Sequence, residues 1–432
     1  MNTSNKYQID IPLFDLVNCL SEAIDLINPR IISHHKRVAY IACKIASAMG
    51  FHKEHFNNIF IASSLHDIGA IAYSIDEQAE LARYEIDKPH KHCVLGYLLL
   101  KDFSLFSKIA RIIRFHHVPW ADGEGASFHG ESVPIESHII HLADRVDILI
   151  DQTSNILDQI NAIRQKIVTS NDKYFKPEVV DRFLEISERE SFWLDITSSH
   201  LVFILKRMMT LPIIHADLDK LQKIAMLFSH IIDFRSKFTA THSRGVAVVA
   251  TTLARLNGMT ESRSKLIGIA GYMHDIGKLA VPNEILDKDS PLSKKEFNII
   301  KKHTYYTRQV LNNIKVAGNL NRWASSHHEK LDGSGYPFHY KGDELDAECR
   351  ILAVADIFTA LTEDRPYRKG MQEIEVKKVL EEKVNQSAID KYFVSLMNLH
   401  YKEINQRRID AQKRATGDYK DFWAQAKELL LL

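Results

Sequence analysis

The sequence predicts an all-α protein made of two helical bundles that are related by internal duplication. Apolar residues recur at helical spacing along most of the 432 residues, and almost no stretch alternates with the period of two that marks a half-buried strand. Histidines and aspartates also recur in the same order in the two halves of the chain. A repeat of roughly 210 residues is too long for a solenoid unit and indicates a duplicated domain.

The composition is that of a globular protein whose charges nearly balance. Hydrophobic residues make up 45% of the chain, charged residues make up 26%, and the formal net charge is +1. This balance argues against a polynucleotide-binding surface but is compatible with a small anionic ligand. The chain shows no signal-peptide pattern at its start and no apolar stretch of membrane-spanning length. Together with four cysteines that form no C-x-x-C pair, these features predict a cytoplasmic protein with reduced thiols.

The first half is predicted to consist of helices separated by glycine-containing turns. An amphipathic segment covers residues 13–27, and the next helix begins at His34 and ends at Gly50. The following helices carry a His-Asp pair, a single histidine, a His-His pair and an aspartate, in that order. The seven positions of this pattern are His34, His66, Asp67, His92, His116, His117 and Asp144.

The second half repeats this order with nearly the same spacing. A helix begins at His242 and ends at Gly258, and Ser293 with Glu296 forms a capping box at the start of a later helix. The first two histidines are 32 residues apart in both halves, and the single histidine precedes the His-His pair by 24 residues in both. The seven matching positions are His242, His274, Asp275, His303, His327, His328 and Asp356.

These repeats suggest where the chain divides. We predict a first domain over residues 1–190, a helical connector over 191–235 and a second domain over 236–432. The last residues, 420–432, read as an amphipathic helix that packs in the core or forms a homodimer contact. The polar face of this helix is not strongly basic, which disfavours a membrane contact.

Five imidazoles and two carboxylates in the second half suffice for a pair of divalent metal ions. One metal ion with open positions needs three or four protein ligands, and mixed imidazole and carboxylate ligation suits iron, manganese, nickel or zinc. Two ions about 3.5–4 Å apart can hold a hydroxide and clamp a phosphoryl group. Asp275, inside the His-Asp pair, is the natural bridging ligand, and Lys278, one turn further, could neutralise a phosphate.

Further residues are candidates for substrate binding. Arg365 and Arg368 are either phosphate ligands or solvated loop charges, and the sequence leaves both interpretations open. Tyr336 lies in a Gly-Tyr-Pro loop after the His-His pair, where it either packs the loop, stacks on a base or docks a partner. A lone histidine is more often a core residue than a ligand. The His-His pair, the His-Asp pair and the repeated spacing together favour the ligand interpretation.

The second half resembles the HD-GYP domain, a bacterial branch of the HD superfamily of metal phosphohydrolases. The matching segments are His274-Asp275-Ile276-Gly277-Lys278, Lys302-His303, His327-His328-Glu329, Gly335-Tyr336-Pro337, Ala355-Asp356 and Arg365-Pro366-Tyr367-Arg368. The resemblance implies a helical bundle and a phosphodiesterase, a phosphoric diester hydrolase of second-messenger signalling. Its expected substrate is cyclic di-GMP, cut to pGpG or on to GMP, or 3',3'-cyclic GMP-AMP.

The resemblance also assigns roles to these residues. The seven second-half positions would hold two divalent ions, of iron, manganese or nickel, and Lys278 would contact the scissile phosphate. A signalling partner such as a diguanylate cyclase would dock on the Gly-Tyr-Pro loop. Phe238 stands where members with a third metal carry a glutamate, so two ions are expected, and Thr307 replaces a usual glycine and would tighten the pocket wall.

The first half resembles the HD superfamily with three losses, one of which is the Arg-Pro-Tyr-Arg segment. Ala70 replaces the lysine, and no Gly-Tyr-Pro follows His117. We therefore expect a metal-capable first domain that is regulatory or structural rather than a second catalytic domain. The sequence leaves two other functions open: a non-catalytic module that binds a cyclic dinucleotide or a partner protein, and a phosphohydrolase of linear nucleotides. The complete ligand set argues against the former, and the Gly-Tyr-Pro loop argues against the latter.

Overall fold

The computed structural model confirms the all-α prediction. The residues that it describes are 8–27, 33–73, 77, 83–84, 90–170, 173–235, 241–314, 319–364 and 369–431. Among these residues, no helix is both long enough and apolar enough to cross a membrane.

Both halves of the chain are built almost entirely from helices. The α-helices of the first half are Leu13–Asp25, His34–Ala48, Lys53–Leu65, His90–Leu100, Ser107–Arg114, Ile135–Ile148, Ile156–Thr169, Pro177–Ile186, Glu190–Ile196 and Leu201–Met208. Those of the second half are Leu218–Asp233, His242–Leu256, Glu261–Met273, Asn283–Leu286, Lys294–Asn312, Leu320–Ser325, Ala347–Thr362, Glu373–Asn385, Lys391–Leu399 and Tyr401–Leu431. The predicted capping box of Ser293 and Glu296 is present at the start of its helix.

Two small antiparallel sheets among the described residues were not expected from the sequence. Ile9–Pro12 pairs with Ile213–Ala216, and Ser127–Phe128 pairs with Glu131–Ser132. With four and two residues, these strands offer too little alternation to be distinguished from chance in the sequence. The segment that we predicted as a helical connector, 191–235, therefore contains a strand.

The chain forms two compact units whose bounds differ from the predicted domains. The second-half unit comprises Met1–Cys19 and Ile213–Asp421, and the first-half unit comprises Leu20–Pro212 and Phe422–Leu432. The N-terminal residues belong to the second-half unit because their strand pairs with Ile213–Ala216. Sequence periodicity carries no information about such long-range pairing.

The end of the last helix packs in the core of the first-half unit, as one of the two interpretations of residues 420–432 proposed. Ala426 is fully buried in an apolar cluster with Ala70, Tyr73 and Val94, and Trp423 packs against the same cluster. Burying a larger apolar side chain such as Val94 stabilises the folded state by about 1.5–3 kcal/mol, whereas the methyl group of Ala426 contributes about 1 kcal/mol.

The second-half unit is organised around the helix His242–Leu256. This helix packs against Glu261–Met273 on one side and Ala347–Thr362 on another. Its apolar residues Val246 and Val249 are fully buried, and the histidine at its first position points into the unit, where it is 4% exposed. The same arrangement recurs in the first-half unit, as the duplication predicts.

In the first-half unit, the helix His34–Ala48 packs against Lys53–Leu65 and Ile135–Ile148. These three helices correspond in order to the three that surround the first histidine of the second half. Each half thus places its first histidine, its His-Asp pair and its last aspartate on elements that contact one another.

A close backbone contact fixes the His-Asp pair of each half. The pair leads into a short 3₁₀ turn, Ile276–Ala280 in the second half, which packs on the helix carrying the next histidine. A Cβ atom on Gly277 would lie 1.9 Å from the carbonyl oxygen of His303, and one on Gly69 would lie 2.0 Å from that of His92. Only glycine permits this approach.

We expect Gly277→Ala to lower the melting temperature of the protein and to weaken its metal binding. The added methyl group has no space, so the turn must move away from its neighbouring helix at a cost of about 1–3 kcal/mol or more. Gly417→Ala is the matched control, because a Cβ atom at this helical position meets nothing within 4 Å. It should stabilise the helix slightly. Equal melting temperatures in scanning calorimetry would contradict the expectation.

Candidate metal centres

The seven predicted ligands of the second half lie together inside the second-half unit. Their donor atoms form three overlapping groups, and within each group all atoms lie within 4.8 Å of one another. The groups are His242, His274 and Asp356; His274, Asp275 and His327; and His303, His327 and His328. The structure thus brings all seven side chains together, while their role as metal ligands stays a prediction.

Asp275 lies between two sets of imidazoles. Its Oδ1 atom is 3.5 Å from Nε2 of His303 and 3.8 Å from Nε2 of His327. Its Oδ2 atom is 3.1 Å from Nε2 of His274. A carboxylate whose two oxygens face different ligand sets suits the bridge of a two-metal site.

Asp356 connects the first histidine of the set with the last. Its Oδ1 atom is 3.0 Å from Nε2 of His242, and its Oδ2 atom is 3.9 Å from Nδ1 of His328. On its other nitrogen, His242 contacts the Glu363 carboxylate at 3.1 Å. A carboxylate on the second ring nitrogen orients a ligating histidine and raises its basicity.

Sequence reasoning missed Glu363, and the internal repeat could not have revealed it. In the first half, Asp147 contacts Nδ1 of His34 at 2.7 Å, three residues after Asp144, whereas Glu363 follows Asp356 by seven. The two halves thus orient their first histidine with carboxylates from different sequence positions. The sequence signal that could have identified Glu363 is its helical spacing, because a residue two turns after Asp356 lies on the same face of the helix.

Backbone carbonyl groups orient the three other buried histidines. Nδ1 of His274, His303 and His327 each donates to the carbonyl oxygen three residues earlier, at 2.7, 2.6 and 2.8 Å. Because a carbonyl group only accepts, Nδ1 carries the hydrogen and Nε2 keeps its lone pair. Nε2 of His274 and Oδ1 of Asp275 are buried without a hydrogen-bond partner. Buried donor atoms of this kind fit a metal ion.

Burial and charge divide the histidines into two protonation classes. Burial lowers the pKa of His303 to about 3 and that of His328 to about 4, so both are neutral near pH 7. Burial also acts to lower the pKa of His242, but the carboxylates of Glu363 and Asp356 outweigh it and raise this pKa to about 10. A metal ion must therefore displace a proton from His242.

Lys278 lies at the edge of the same centre. Its Nζ atom is 2.6 Å from Oδ2 of Asp275, and its side chain is 21% exposed. Burial acts to raise the pKa of the Asp275 carboxyl, but the nearby His274 and Lys278 outweigh it and hold the pKa well below its usual range. The ammonium group thus lies between the buried carboxylate and solvent.

The Gly-Tyr-Pro loop folds back on the His-His pair. The centroid of the Tyr336 ring lies 5.0 Å from that of the His328 ring. The backbone N–H of Tyr336 donates to the carbonyl oxygen of His328. The buried Glu329 carboxylate accepts from the backbone N–H groups of Phe338 and Tyr340 at 2.7 and 3.1 Å. These bonds hold the loop beside the candidate metal centre.

The sequence also singled out Arg365, Arg368, Phe238 and Thr307. Arg365, Arg368 and Phe238 lie outside the described residues. The Thr307 hydroxyl donates to the carbonyl oxygen of His274 and accepts from the N–H group of Gly277. These two hydrogen bonds connect the His-Asp turn to the helix Lys294–Asn312, which carries Thr307.

The seven counterparts in the first half also converge. Their donor atoms form two compact groups, Asp67 with His92, His116 and His117, and His34 with His66 and Asp144. Oδ1 of Asp67 faces Nε2 of His92 at 3.3 Å, and Oδ2 faces Nε2 of His66 at 3.4 Å. This is the division of oxygens that Asp275 shows.

The two centres differ in their access to solvent. The side chain of His328 is 30% exposed and that of Asp356 is 12% exposed, whereas His117 and Asp144 are 3% and 2% exposed. In the first half, Nη2 of Arg145 also lies 2.5 Å from Oδ2 of Asp144. The second-half centre is open, and the first-half centre is enclosed by protein.

We expect Glu363→Gln to reduce the number of protons released when metal-free protein takes up manganese at pH 7. The substitution removes a carboxylate that raises the pKa of His242, so less His242 is protonated before binding. Titration calorimetry in two buffers with different ionisation enthalpies measures the release. The exposed Glu381→Gln serves as control, and equal release by the two variants would contradict the expectation.

Comparison with known protein families matches both halves of the chain. HD domain models match residues 31–149 and 226–392. The 3',3'-cGAMP-specific phosphodiesterase 1 of Vibrio cholerae serotype O1 is 31% identical over 380 residues, which cover 86% of this chain and 88% of that protein. A cyclic di-GMP phosphodiesterase of Pseudomonas aeruginosa is 36% identical over 135 residues, covering 31% of this chain and 33% of that protein.

The fold of the chain is also similar to that of a solved structure. The crystal structure of a cyclic GMP-AMP-specific phosphodiesterase of V. cholerae superposes with a TM-score of 0.64 at 24% sequence identity. The match covers 91% of this chain and 98% of that one. With a full-length relative above 30% identity and HD domains in both halves, the chain belongs to the HD-GYP family of cyclic dinucleotide phosphodiesterases, and it carries a further HD domain in its first half.

Proposed function

We propose that this chain hydrolyses 3',3'-cyclic GMP-AMP, that its second half performs the reaction, and that cyclic di-GMP is the second candidate substrate. One observation carries the proposal. A complete set of imidazole and carboxylate donors, a partly exposed lysine and the Gly-Tyr-Pro loop meet at one solvent-accessible centre. That combination suits the cleavage of a phosphodiester bond.

The donor set fits two divalent ions that share one carboxylate. His242, His274, Asp275 and Asp356 would hold one ion, and Asp275, His303, His327 and His328 would hold the other. Iron, manganese and nickel are the ions that best suit these donors, and affinity alone does not choose among them. When bound, such a pair supplies a hydroxide nucleophile at neutral pH and positive charge at the phosphate.

Lys278 is proposed to bind the phosphate under attack. Its ammonium group lies 2.6 Å from Oδ2 of Asp275, the proposed bridging ligand, and its side chain is 21% exposed, which leaves room for a ligand. A fixed positive charge there would stabilise the charge that develops on the phosphoryl oxygens. In the first half this position is Ala70, so the equivalent interaction is missing.

Tyr336 is proposed to stack on a base of the substrate. Its ring centroid is 5.0 Å from that of the His328 ring and 5.5 Å from the Lys301 ammonium group. An aromatic ring next to a candidate metal ligand would take up a base of a substrate whose phosphate is bound at the metal centre. Arg365 and Arg368, outside the described residues, stay sequence-based candidates for the second phosphate.

The choice of cyclic GMP-AMP rests on the extent of the similarity. The relative that aligns with both halves of the chain is named for 3',3'-cGAMP, whereas the cyclic di-GMP phosphodiesterase of P. aeruginosa aligns with about a third of it. Hydrolysis of one phosphodiester bond gives a linear dinucleotide, and hydrolysis of both gives mononucleotides. We propose the linear dinucleotide as the first product.

The first half is proposed to be structural or regulatory. Its ligand set is intact, but the lysine and the Gly-Tyr-Pro loop are missing and its centre is enclosed. A substrate as large as a cyclic dinucleotide needs an open metal position, and an enclosed centre offers none. A non-catalytic role for the whole chain is not favoured, because no second-half ligand is missing.

Purified protein loaded with manganese, iron(II) or nickel should convert 3',3'-cyclic GMP-AMP faster than cyclic di-GMP. Asp275→Ala should abolish turnover, and Lys278→Ala should lower kcat by about 10²-fold or more, because a charge-stabilising group is lost. Mass spectrometry of the products checks both the substrate and the extent of cleavage. Two results would overturn the proposal: both substrates remaining intact with every metal, or turnover that survives Asp275→Ala but is lost in Asp67→Ala.

Replacing Tyr336 should affect substrate binding more than chemistry. Stacking on one base contributes about 1–3 kcal/mol, so Tyr336→Ala should raise KM by about tenfold with a smaller change in kcat. Tyr336→Phe keeps the ring and should behave almost like the parent protein. If the phenylalanine variant loses as much as the alanine variant, the ring does not act by stacking.

A further inference from the structure

His35 is a buried imidazole of the first-half unit for which the predicted ligand set has no place. It follows His34 at the start of the helix His34–Ala48 and is fully buried. Its Nδ1 atom lies 2.6 Å from Oδ1 of Asp25, so Nδ1 donates to the carboxylate. Its Nε2 atom is buried without a hydrogen-bond partner.

The unpartnered nitrogen of His35 faces the candidate metal centre. It lies 4.0 Å from Oδ2 of Asp67, slightly more than the roughly 3–3.5 Å that separates neighbouring ligand atoms bound to one ion at about 2.1 Å. The ring centroids of His34, His35 and His66 form a nearly equilateral triangle with sides of 5.3, 5.2 and 5.2 Å. Three imidazoles that bind one ion through nitrogens at about 2.1 Å place their centroids roughly 5 Å apart.

The second half has a different residue at this position. Ser243 follows His242, and its side chain is too short to reach the metal centre as an imidazole does. In that half, Oδ2 of Asp275 is contacted by Nζ of Lys278. In the first half, where Ala70 has no amine to offer, the corresponding oxygen of Asp67 faces His35. An imidazole in one half and an ammonium group in the other therefore face the same bridging carboxylate oxygen.

We propose that His35 is an additional ligand of a divalent ion in the first half, held in place by Asp25, and that it makes this centre a closed structural one. This inference rests on the proposed metal binding of the first-half ligands. Structural sites fill their coordination positions with protein groups, whereas catalytic sites keep a position open. The chain Asp25–His35–metal is the usual carboxylate-supported histidine ligand.

A second contact encloses the same centre. The Arg145 side chain is 5% exposed, contacts Oδ2 of Asp144 and donates to the carbonyl oxygens of Arg83 and Tyr84. His35 and Arg145 thus fill the space beside the Asp67 and Asp144 carboxylates of the first-half centre. The imidazole-rich donor set suits a borderline divalent ion such as zinc, nickel or cobalt.

The test uses full-length protein in which Asp275→Ala disables the second-half centre. Metal is removed with a chelator, cobalt(II) is added, and its affinity and visible absorption spectrum are measured. We expect His35→Ser, which installs the residue found in the second half, to weaken cobalt binding by at least about tenfold and to change the spectrum. Asp25→Asn should weaken binding less, because it removes only the orienting partner. His52→Ser, at an exposed histidine of the same unit, is the control.

Two results would overturn the inference, and each has a distinct meaning. If the Asp275→Ala protein binds no cobalt, the first half holds no metal ion, and the proposed activity of the second half is unaffected. If it binds cobalt but His35→Ser and His52→Ser give the same affinity and spectrum, His35 is a core histidine. Should His35→Ser fail to fold, as judged from melting of the metal-free protein, the Asp25→Asn variant decides in the same way.

Discussion

The contact between the His-Asp turn and the helix that follows it is the constraint on which both candidate metal centres depend. Gly277 and Gly69 allow two backbones to meet without a side chain between them. The distance from the bridging aspartate to the next histidine is therefore set by main-chain packing, which is stiffer than any side-chain rotamer. The hydroxyl of Thr307 adds two hydrogen bonds to this contact in the second half. Ligands held in this way need little rearrangement when an ion binds.

Helical periodicity and repeated spacing were enough to predict the fold class and the fourteen side chains that converge in two centres. Local patterns of this kind repeat when a domain is duplicated. Long-range contacts need not repeat, and the features that the sequence did not predict depend on such contacts. Glu363 and Asp147 perform one task from unrelated positions, and the short strand Ile9–Pro12 pairs with residues about two hundred positions away. His35, next to a predicted ligand, could not be told from an ordinary core histidine.

The seven predicted ligand types have different surroundings in the two halves of the chain. The exposed edge of the second-half centre, at His328 and Lys278, leaves space beside the carboxylate bridge. In the first half, the corresponding surfaces are covered by protein, and Arg145 neutralises an aspartate that would otherwise face a ligand. The difference lies in a few residues around these positions, while the seven predicted ligand types are the same in both halves. Residue identity alone thus gives no measure of catalytic competence in a duplicated domain.

The interleaving of the two units along the chain has a consequence for how this protein can evolve. Residues Met1–Cys19 complete the second-half unit, and Phe422–Leu432 complete the first-half unit. A chain cut between Pro212 and Ile213 would leave one strand without its partner and would expose the apolar surface that Ala426 covers. Neither copy could be deleted or exchanged without damaging the other. Selection that preserves one half of the chain therefore also preserves the other.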